Sequence, residues 1–425
     1  MIVNLPYGRD RIALDLRGLR VRSLMPSAPT ARGGSSRVVG EALERSLEGP
    51  CLAELARGRH NATVIVPDAT RRAALPEVLP KVLDRLRSGG IVDSSVTILV
   101  ACGTHPRGGP EAMGELLGSL PAGVQVVEHD CRDPEALSTV GNLRPGLPLR
   151  LHRKAVESDL LITVGSVRHH YFAGFGGGPK MVFPGVGGYE EIQANHSLVL
   201  RLEEGVFLRH PRCEPGVLEG NPVAEEIARA ADLRPPDCAL CLIEDSAGGI
   251  TWGGAGPWRV AFAAAVEKMR SWYEIPPGPP CDLMVACGGG APTDETLIQA
   301  HKGLDAACRF LAPGGEILYL AALDGGAGSE DMQEFLDDPR PQSVLRRLSE
   351  RWVQYGHTTF RLVEKTTNFR TRLHSHLDPE LALRLGFEPA PDPEVVVEEW
   401  RQRNTAATVG VMVSGAVYPH TRQPK

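Results

Sequence analysis

The chain has 425 residues and a formal net charge of −6, longer than one hydrophobic core usually encloses, so two domains of unequal size are expected. Its 42% hydrophobic and 23% charged content is that of a folded globular protein and excludes a disordered chain. The acidic balance gives no broad attraction for nucleic acid or anionic lipid, which leaves a small molecule as the expected partner. Nine cysteines without a repeating spacing read as reduced thiols of a cytoplasmic protein and not as a disulfide framework. The opening MIVNLPYGRDRIALDL lacks a basic stretch leading into a long apolar run. No window approaches the ~20 apolar residues that cross a bilayer, so neither export nor a membrane is expected.

Short β-branched apolar runs alternate with helical patterns, the signature of α/β architecture with mainly parallel sheets. ATVIVPD (62–68), VTILVACG (96–103), VQVVEHD (124–130), DLLITVG (159–165) and CALCLIED (238–245) read as buried strands. Between them, 74–90 and 222–233 carry helical periodicity, the first closing on a Gly pair suited to a helix C-terminus. IPPGPP (275–280) interrupts the alternation, and DLMVACGGG (282–290) opens a fresh strand-then-glycine unit. The expected division is therefore 1–275 for an N-terminal α/β domain and 276–404 for a C-terminal one. The second continues as a helix (295–311), a strand (315–323) and one long helical stretch over 342–365. EPAPDPE (388–394) reads as a surface loop. Residues 405–425 supply a last strand, expected to return to the first domain or to edge the second.

Polar residues gather where strands end. In open parallel sheets ligands bind beyond the carboxyl ends of the strands, where loops converge and helix N-termini point at the site. ATVIVP is followed by Asp68, Ala69, Thr70 and Arg71; VTILVACG by Thr104 and His105; DLLITVG, after two residues, by Arg168, His169 and His170. Singly, each has a plain explanation, since Asp-x-Thr after a strand is a common helix cap. Their coincidence at one edge points to a site. Cys238 and Cys241 form a CxxC, but they lie inside an apolar run with no second pair at zinc-ribbon spacing, and read as strand residues.

The densest stretch is RHHYFAGFGGGPKMVFPGVGGYEEIQANH, residues 168–196. Its glycines allow positive φ and close approach of backbone to a ligand. The run into Lys180 fails as a P-loop, because Pro179 precedes the lysine and Met181 follows it. A lysine among glycine and apolar residues can be desolvated, which favours the neutral amine needed for covalent attachment; a solvated loop lysine is the alternative. His170 and His196 offer imidazole for nickel or zinc, or for acid/base work near neutral pH.

Together, Asp68-x-Thr70-Arg71, Gly103-Thr104-His105, the segment His169 to Lys180, Asn195-His196 and Gln299-x-x-Lys302 resemble the nickel-dependent lactate racemase family. The resemblance covers both expected domains. It implies two α/β domains with the active site in the cleft between them, and a pyridinium-3,5-bisthiocarboxylic acid mononucleotide, the nickel-pincer nucleotide, joined covalently to Lys180. It further implies cofactor-synthesis proteins as partners, nickel bound by His196, and Asp68, Thr70 and Trp352 beside the nucleotide. Helix packing explains Trp352 equally well.

The chemistry of a 2-hydroxy acid agrees with that resemblance. The α-hydrogen is hard to remove as a proton, because the carbanion beside a carboxylate has no electron sink. Hydride removal with deprotonation of the hydroxyl gives a planar 2-oxo acid instead. Two stereochemical outcomes call for two bases, matched by His105 and His170. Arg71 presents a planar fork suited to a carboxylate, and Gln299 and Lys302 match the family's substrate contacts. Ile298 stands where lactate-acting members carry an aromatic residue, and Pro179 where a small residue is usual, so the substrate is a 2-hydroxy acid not confined to lactate. Two alternatives remain at this point: a zinc-dependent hydrolase ligated by His105, His170 and His196, and a noncatalytic carrier of the pincer cofactor.

Overall fold

The computed structural model describes residues 1–31, 34–71, 73–245, 247–403, 406–413 and 417–420. They form two compact units: a terminal unit of Met1–Ser27, Leu200–Arg209 and Ser271–Lys425, and an inserted unit of Ala28–Val199 and His210–Arg270. The strands of the large sheets are, in chain order, β1 (Arg20–Ser23), β2 (Ala62–Pro67), β3 (Val96–Ala101), β4 (Gln125–Glu128), β5 (Leu160–Ser166) and β6 (Cys238–Glu244). They continue with β7 (Ile250–Gly256), β8 (Cys281–Cys287), β9 (Leu311–Leu320), β10 (Arg370–His374), β11 (Glu388–Pro389) and β12 (Thr408–Met412).

The inserted unit holds a six-stranded sheet ordered β7-β6-β5-β2-β3-β4, parallel except for the β6–β7 pair. Every residue of β2 and β6 is buried, as near-continuous apolar runs in a covered parallel sheet require. β4 departs from the buried strand expected for VQVVEHD. It lies at the sheet edge, where Gln125 and Val126 are exposed. Helix α1 (Leu75–Ser88) turns Leu75, Val78, Leu79, Val82, Leu83 and Leu86 into the core at 3-4 spacing. Each such side chain contributes about 1.5–3 kcal/mol on burial. Three further helices complete this description: α2 (Tyr189–His196), α3 (Pro222–Leu233) and α4 (Trp258–Tyr273). α3 starts at Pro222 because Asn221 caps it, its side chain accepting from the Val223 and Ala224 amides.

The terminal unit is built on an all-parallel six-stranded sheet ordered β11-β10-β9-β8-β12-β1. The expected domain limits require correction here. β1 pairs with β12, and the hairpin Ile2–Tyr7/Asp10–Asp15 buries Val3, Leu5 and Leu14 against Val285, Leu318 and Trp400. The first twenty-seven residues therefore fold with the C-terminal half. The last strand does not return to the inserted unit; it joins the C-terminal sheet, though not at its edge, since β12 lies between β8 and β1. Residues 405, 414–416 and 421–425 of the expected terminal segment lie outside the described residues, as does residue 404 before it.

Helix α5 (Leu297–Cys308) follows β8. The single helix expected over 342–365 is two, α6 (Pro341–Glu350) and α7 (Gln354–Asn368), separated at Arg351–Val353. EPAPDPE is not wholly a loop, since Glu388–Pro389 forms edge strand β11 and Pro393 begins the helix Pro393–Arg403. Among the described residues no helix is long and apolar enough to cross a membrane, and all nine cysteines are free thiols.

Candidate active site

Strands β5, β2 and β3 are neighbours in the inserted sheet, so the segments that follow them emerge side by side. They deliver Asp68 to Arg71, His105 and His170 to one edge, the arrangement the strand-end reading anticipates.

Asp68 is the hub. Its Oδ1 accepts from the Thr70 amide at 3.1 Å and the Thr70 hydroxyl at 2.6 Å, and its Oδ2 lies 2.5 Å from His105 Nδ1. Burial opposes ionisation of this carboxyl. The charge and hydrogen bond of His105 outweigh that, with Arg71 and Thr70 assisting, and hold it at about 2. An ionised partner places the His105 proton on Nδ1 and leaves Nε2 as the basic nitrogen. Thr70 does double duty, since Arg71 Nη1 donates to its hydroxyl at 3.1 Å. Both Asp68 oxygens thus meet protein donors, an orienting role that sequence reasoning did not single out.

Lys180 sits in a tight turn, Gly178–Met181. The glycines before it are needed for packing of the chain on itself more than for approach to a ligand. A Cβ on Gly177 (φ +70) would lie 2.5 Å from the Ser166 carbonyl oxygen, and one on Gly178 (φ +51) 2.2 Å from the Phe262 ring. The Lys180 amine lies 3.3 Å from His170 Nε2 and 5.6 Å from the centre of the Phe172 ring. Desolvation, then the charge of Arg71, lowers its pKa to about 7. The His170 tautomer agrees with a neutral amine. The Ala173 amide donates to His170 Nδ1 at 3.3 Å, which assigns the ring proton to Nε2, facing a nitrogen that accepts it.

His196 ends α2 and is 6% exposed. Its Nδ1 donates to the Ile192 carbonyl at 2.7 Å, which fixes Nε2 as the lone-pair nitrogen. Burial, then the Lys180 charge, pushes its pKa down to about 3. A neutral imidazole with its far nitrogen tied to a carbonyl is the form that ligates a transition metal. Asn195 anchors the same helix, its amide donating to Glu226 Oε2 at 3.0 Å on α3. Phe172 was not singled out on sequence, yet its ring packs edge-on against both His170, at 4.6 Å, and His196, at 5.1 Å. The only signal for it is its place in HHYF.

The remaining expected residues belong to the terminal unit. Lys302 and Gln299 share one face of α5, joined by a 2.6 Å bond from Nζ to Oε1. Ile298 faces inward and is 9% exposed. Trp352 falls in the α6–α7 break, half-buried beside Phe335, Leu348 and Phe360, with its Nε1 buried and unpartnered among the described residues. Among the described residues no three His, Cys, Asp or Glu side chains are grouped to hold a metal. His105, His170 and His196 are therefore not arranged as a zinc cage.

The inserted and terminal regions also match known sequences. Residues 7–206 match the lactate racemase N-terminal domain and residues 277–357 the lactate racemase C-terminal domain. A lactate racemase from Lactiplantibacillus plantarum is 30% identical over 391 residues, covering 88% of this chain and 89% of its own length. The chain belongs to the lactate racemase family. A second member, from Thermoanaerobacterium thermosaccharolyticum, is 30% identical over 82% of this chain and 81% of its own. The lactate racemase apoprotein structure from that organism superposes with a TM-score of 0.87 at 27% identity, covering 99% of this chain and 100% of the other. Within this family the chain is an isomerase acting on a small molecule.

Proposed function

We propose that the chain racemises a 2-hydroxy acid, lactate or larger, using a nickel-pincer nucleotide carried on Lys180. The observation that carries this is the placement of a near-neutral, desolvated amine 3.3 Å from His170 Nε2, in the strand-end cluster that also holds the Asp68–His105 pair. A fixed amine of that kind suits acylation by a thiocarboxylate arm, and His196 Nε2 suits nickel. When bound, the nucleotide supplies an acceptor for the substrate α-hydrogen as hydride.

The chain's own groups do the rest. Arg71 grips the carboxylate. His105 takes the hydroxyl proton at Nε2, while Asp68 holds Nδ1 and stabilises the imidazolium that forms. For the opposite enantiomer His170 takes that proton at Nε2: once acylation has removed the Lys180 lone pair, the ring proton moves to Nδ1 at the expense of the Ala173 amide bond, and Nε2 becomes the basic nitrogen. The substrate passes through a planar 2-oxo acid, whose carbonyl carbon can take the hydride back on either face. Gln299, Lys302 and Trp352 are assigned to substrate and nucleotide by family resemblance, and the unpartnered Trp352 Nε1 leaves a donor for that purpose. Nine free thiols support a reducing, cytoplasmic setting. Cofactor-synthesis proteins complete the expected partners.

The test uses protein produced beside the cofactor-synthesis enzymes and a panel of chiral 2-hydroxy acids deuterated at the α-carbon. Intact mass should show a nucleotide adduct that is absent from Lys180→Ala. One acid should lose optical purity in ordinary water while retaining most of its deuterium, because hydride does not exchange with solvent as an imidazole proton does. Rapid loss of the label without a trappable 2-oxo acid would overturn the hydride reading.

A further inference from the structure

Behind the segment that presents Lys180, the inserted unit contains a cavity of about 530 Å³. Of the strand-end cluster only Lys180 lines it; Asp68, Arg71, His105, His170 and His196 do not. Its walls are Phe175, Leu218, Ile227, Trp258, Phe262 and Val266, and its inner face is made by Ala173, Pro179 and Lys180. The volume and apolar lining are those of a small-molecule site. Nothing in the reaction proposed above uses it.

The rim decides what enters. Both of its arginines are already engaged: Arg259 pairs with Asp232 and stacks 4.4 Å above Trp258, while Arg270 donates to the Gly216 carbonyl at 2.9 Å and covers Phe175. Glu219, Glu225 and Glu267 are exposed at the same mouth. An acid would meet three carboxylates and no uncommitted cation on this rim, so an apolar anion is disfavoured and an uncharged aryl or alkyl molecule fits.

The inner face gives occupancy a consequence. Gly178 lies so close to Phe262 that a Cβ would reach within 2.2 Å of the ring, and Phe262 is a cavity wall. Anything that fixes Phe262 fixes the turn carrying Lys180. We infer that this cavity, between α3 and α4, binds an uncharged apolar small molecule and that its occupancy tightens the Gly178–Met181 turn.

Two fluorescent probes with the same aryl body test this on the full chain. Neutral N-phenyl-1-naphthylamine should bind saturably at one equivalent, and its sulfonate counterpart, 1-anilinonaphthalene-8-sulfonate, at least about tenfold more weakly, since the added charge faces the acidic rim. Ala263→Trp fills the mouth from an exposed helix position and should abolish binding of the neutral probe. Glu267→Lys should leave the neutral probe unchanged and bring the sulfonate within severalfold of it. Saturating neutral probe should slow amide exchange severalfold in the peptide covering Gly178–Met181. Absence of saturable binding, equal affinity for both probes, or full binding in Ala263→Trp would overturn the site. Unaltered exchange at saturation would overturn its link to the turn.

Discussion

Two buried lysines, one in each unit, have depressed pKa values for the same first reason and opposite fates. Desolvation leads for both, taking Lys180 to about 7 and Lys365 to about 8. Lys365 lies 2.8 Å from Asp305 and donates to the Arg361 carbonyl at 2.8 Å. Asp305 in turn holds Arg361 at 2.5 Å and Arg309 at 3.1 Å, tying α5 to α7. Burial opposes the charge on Asp305, but Lys365, Arg361 and Arg309 keep it ionised well below the usual carboxylate range. Lys180 has no such carboxylate among the described residues; its neighbours are an imidazole, a phenyl ring and the cation of Arg71. A lowered pKa therefore does not by itself mark a reactive amine. The partner set does: Lys365 is spent on structure, and Lys180 is left for chemistry.

The sharpest way to break this contrast is to remove each amine. Lys180→Ala should lower racemisation to background, a loss of more than about 10⁴-fold, with thermal unfolding no worse than in the parent chain; optical rotation and calorimetry read the two quantities. Lys365→Met should do the reverse and keep most turnover in properly folded protein. Next in size, Asp305→Ala leaves three cations facing one another in the terminal unit. Breaking a buried pair from one side costs about 3–5 kcal/mol, so the denaturant midpoint should fall steeply while any residual activity per folded molecule is retained.

On the site itself, Asp68→Asn keeps shape but can no longer hold the proton on His105 Nδ1. Turnover should fall about 10²-fold or more, with the adduct on Lys180 intact by mass. Normal turnover in that variant would return Asp68 to the helix-cap role its sequence context suggests.

The smallest effect is a titration. Acylation of Lys180 in cofactor-free protein by an amine reagent should rise with pH to a midpoint near 7 and level off, whereas exposed lysines continue rising toward about 10.4. Stability carries the same sign. A lysine whose folded pKa is depressed binds its proton more weakly when folded, so it destabilises fully below about 7 and less as pH climbs toward the unfolded value. Lys180→Met should accordingly stabilise most at low pH, with the gain shrinking through the alkaline range.

How much of this could be read in the sequence follows from the range of each interaction. β2, β5 and β6 are legible because every residue in a covered parallel strand is apolar, or nearly so. α3 is legible because Asn221 and Pro222 mark its start and its apolar face keeps helical spacing. The cluster of Asp68, His105, His170 and Lys180 is legible because a parallel sheet places successive strand ends at one edge. Asp305 with Arg361 and Lys365 is not, since the partners lie more than fifty residues apart and charges in a helix ordinarily face water. The α6–α7 break is hidden for a different reason: Trp352 and Val353 continue an apolar pattern although their backbone is no longer helical. The grouping of residues 1–27 with the C-terminal half is likewise invisible locally, because β1 is a four-residue edge strand whose pairing is decided by β12.

That last pairing has a consequence for how the chain is made. Among the described residues of the large sheet β1 pairs only with β12, a segment translated roughly 400 residues later. At about 5–20 residues per second, the first strand waits roughly 20–80 s on the ribosome for its neighbour. The inserted unit, whose sheet needs nothing beyond Gly256, can close in that interval. Folding order thus runs from the middle outward, with β1, made long before β12, among the last strands to find its place.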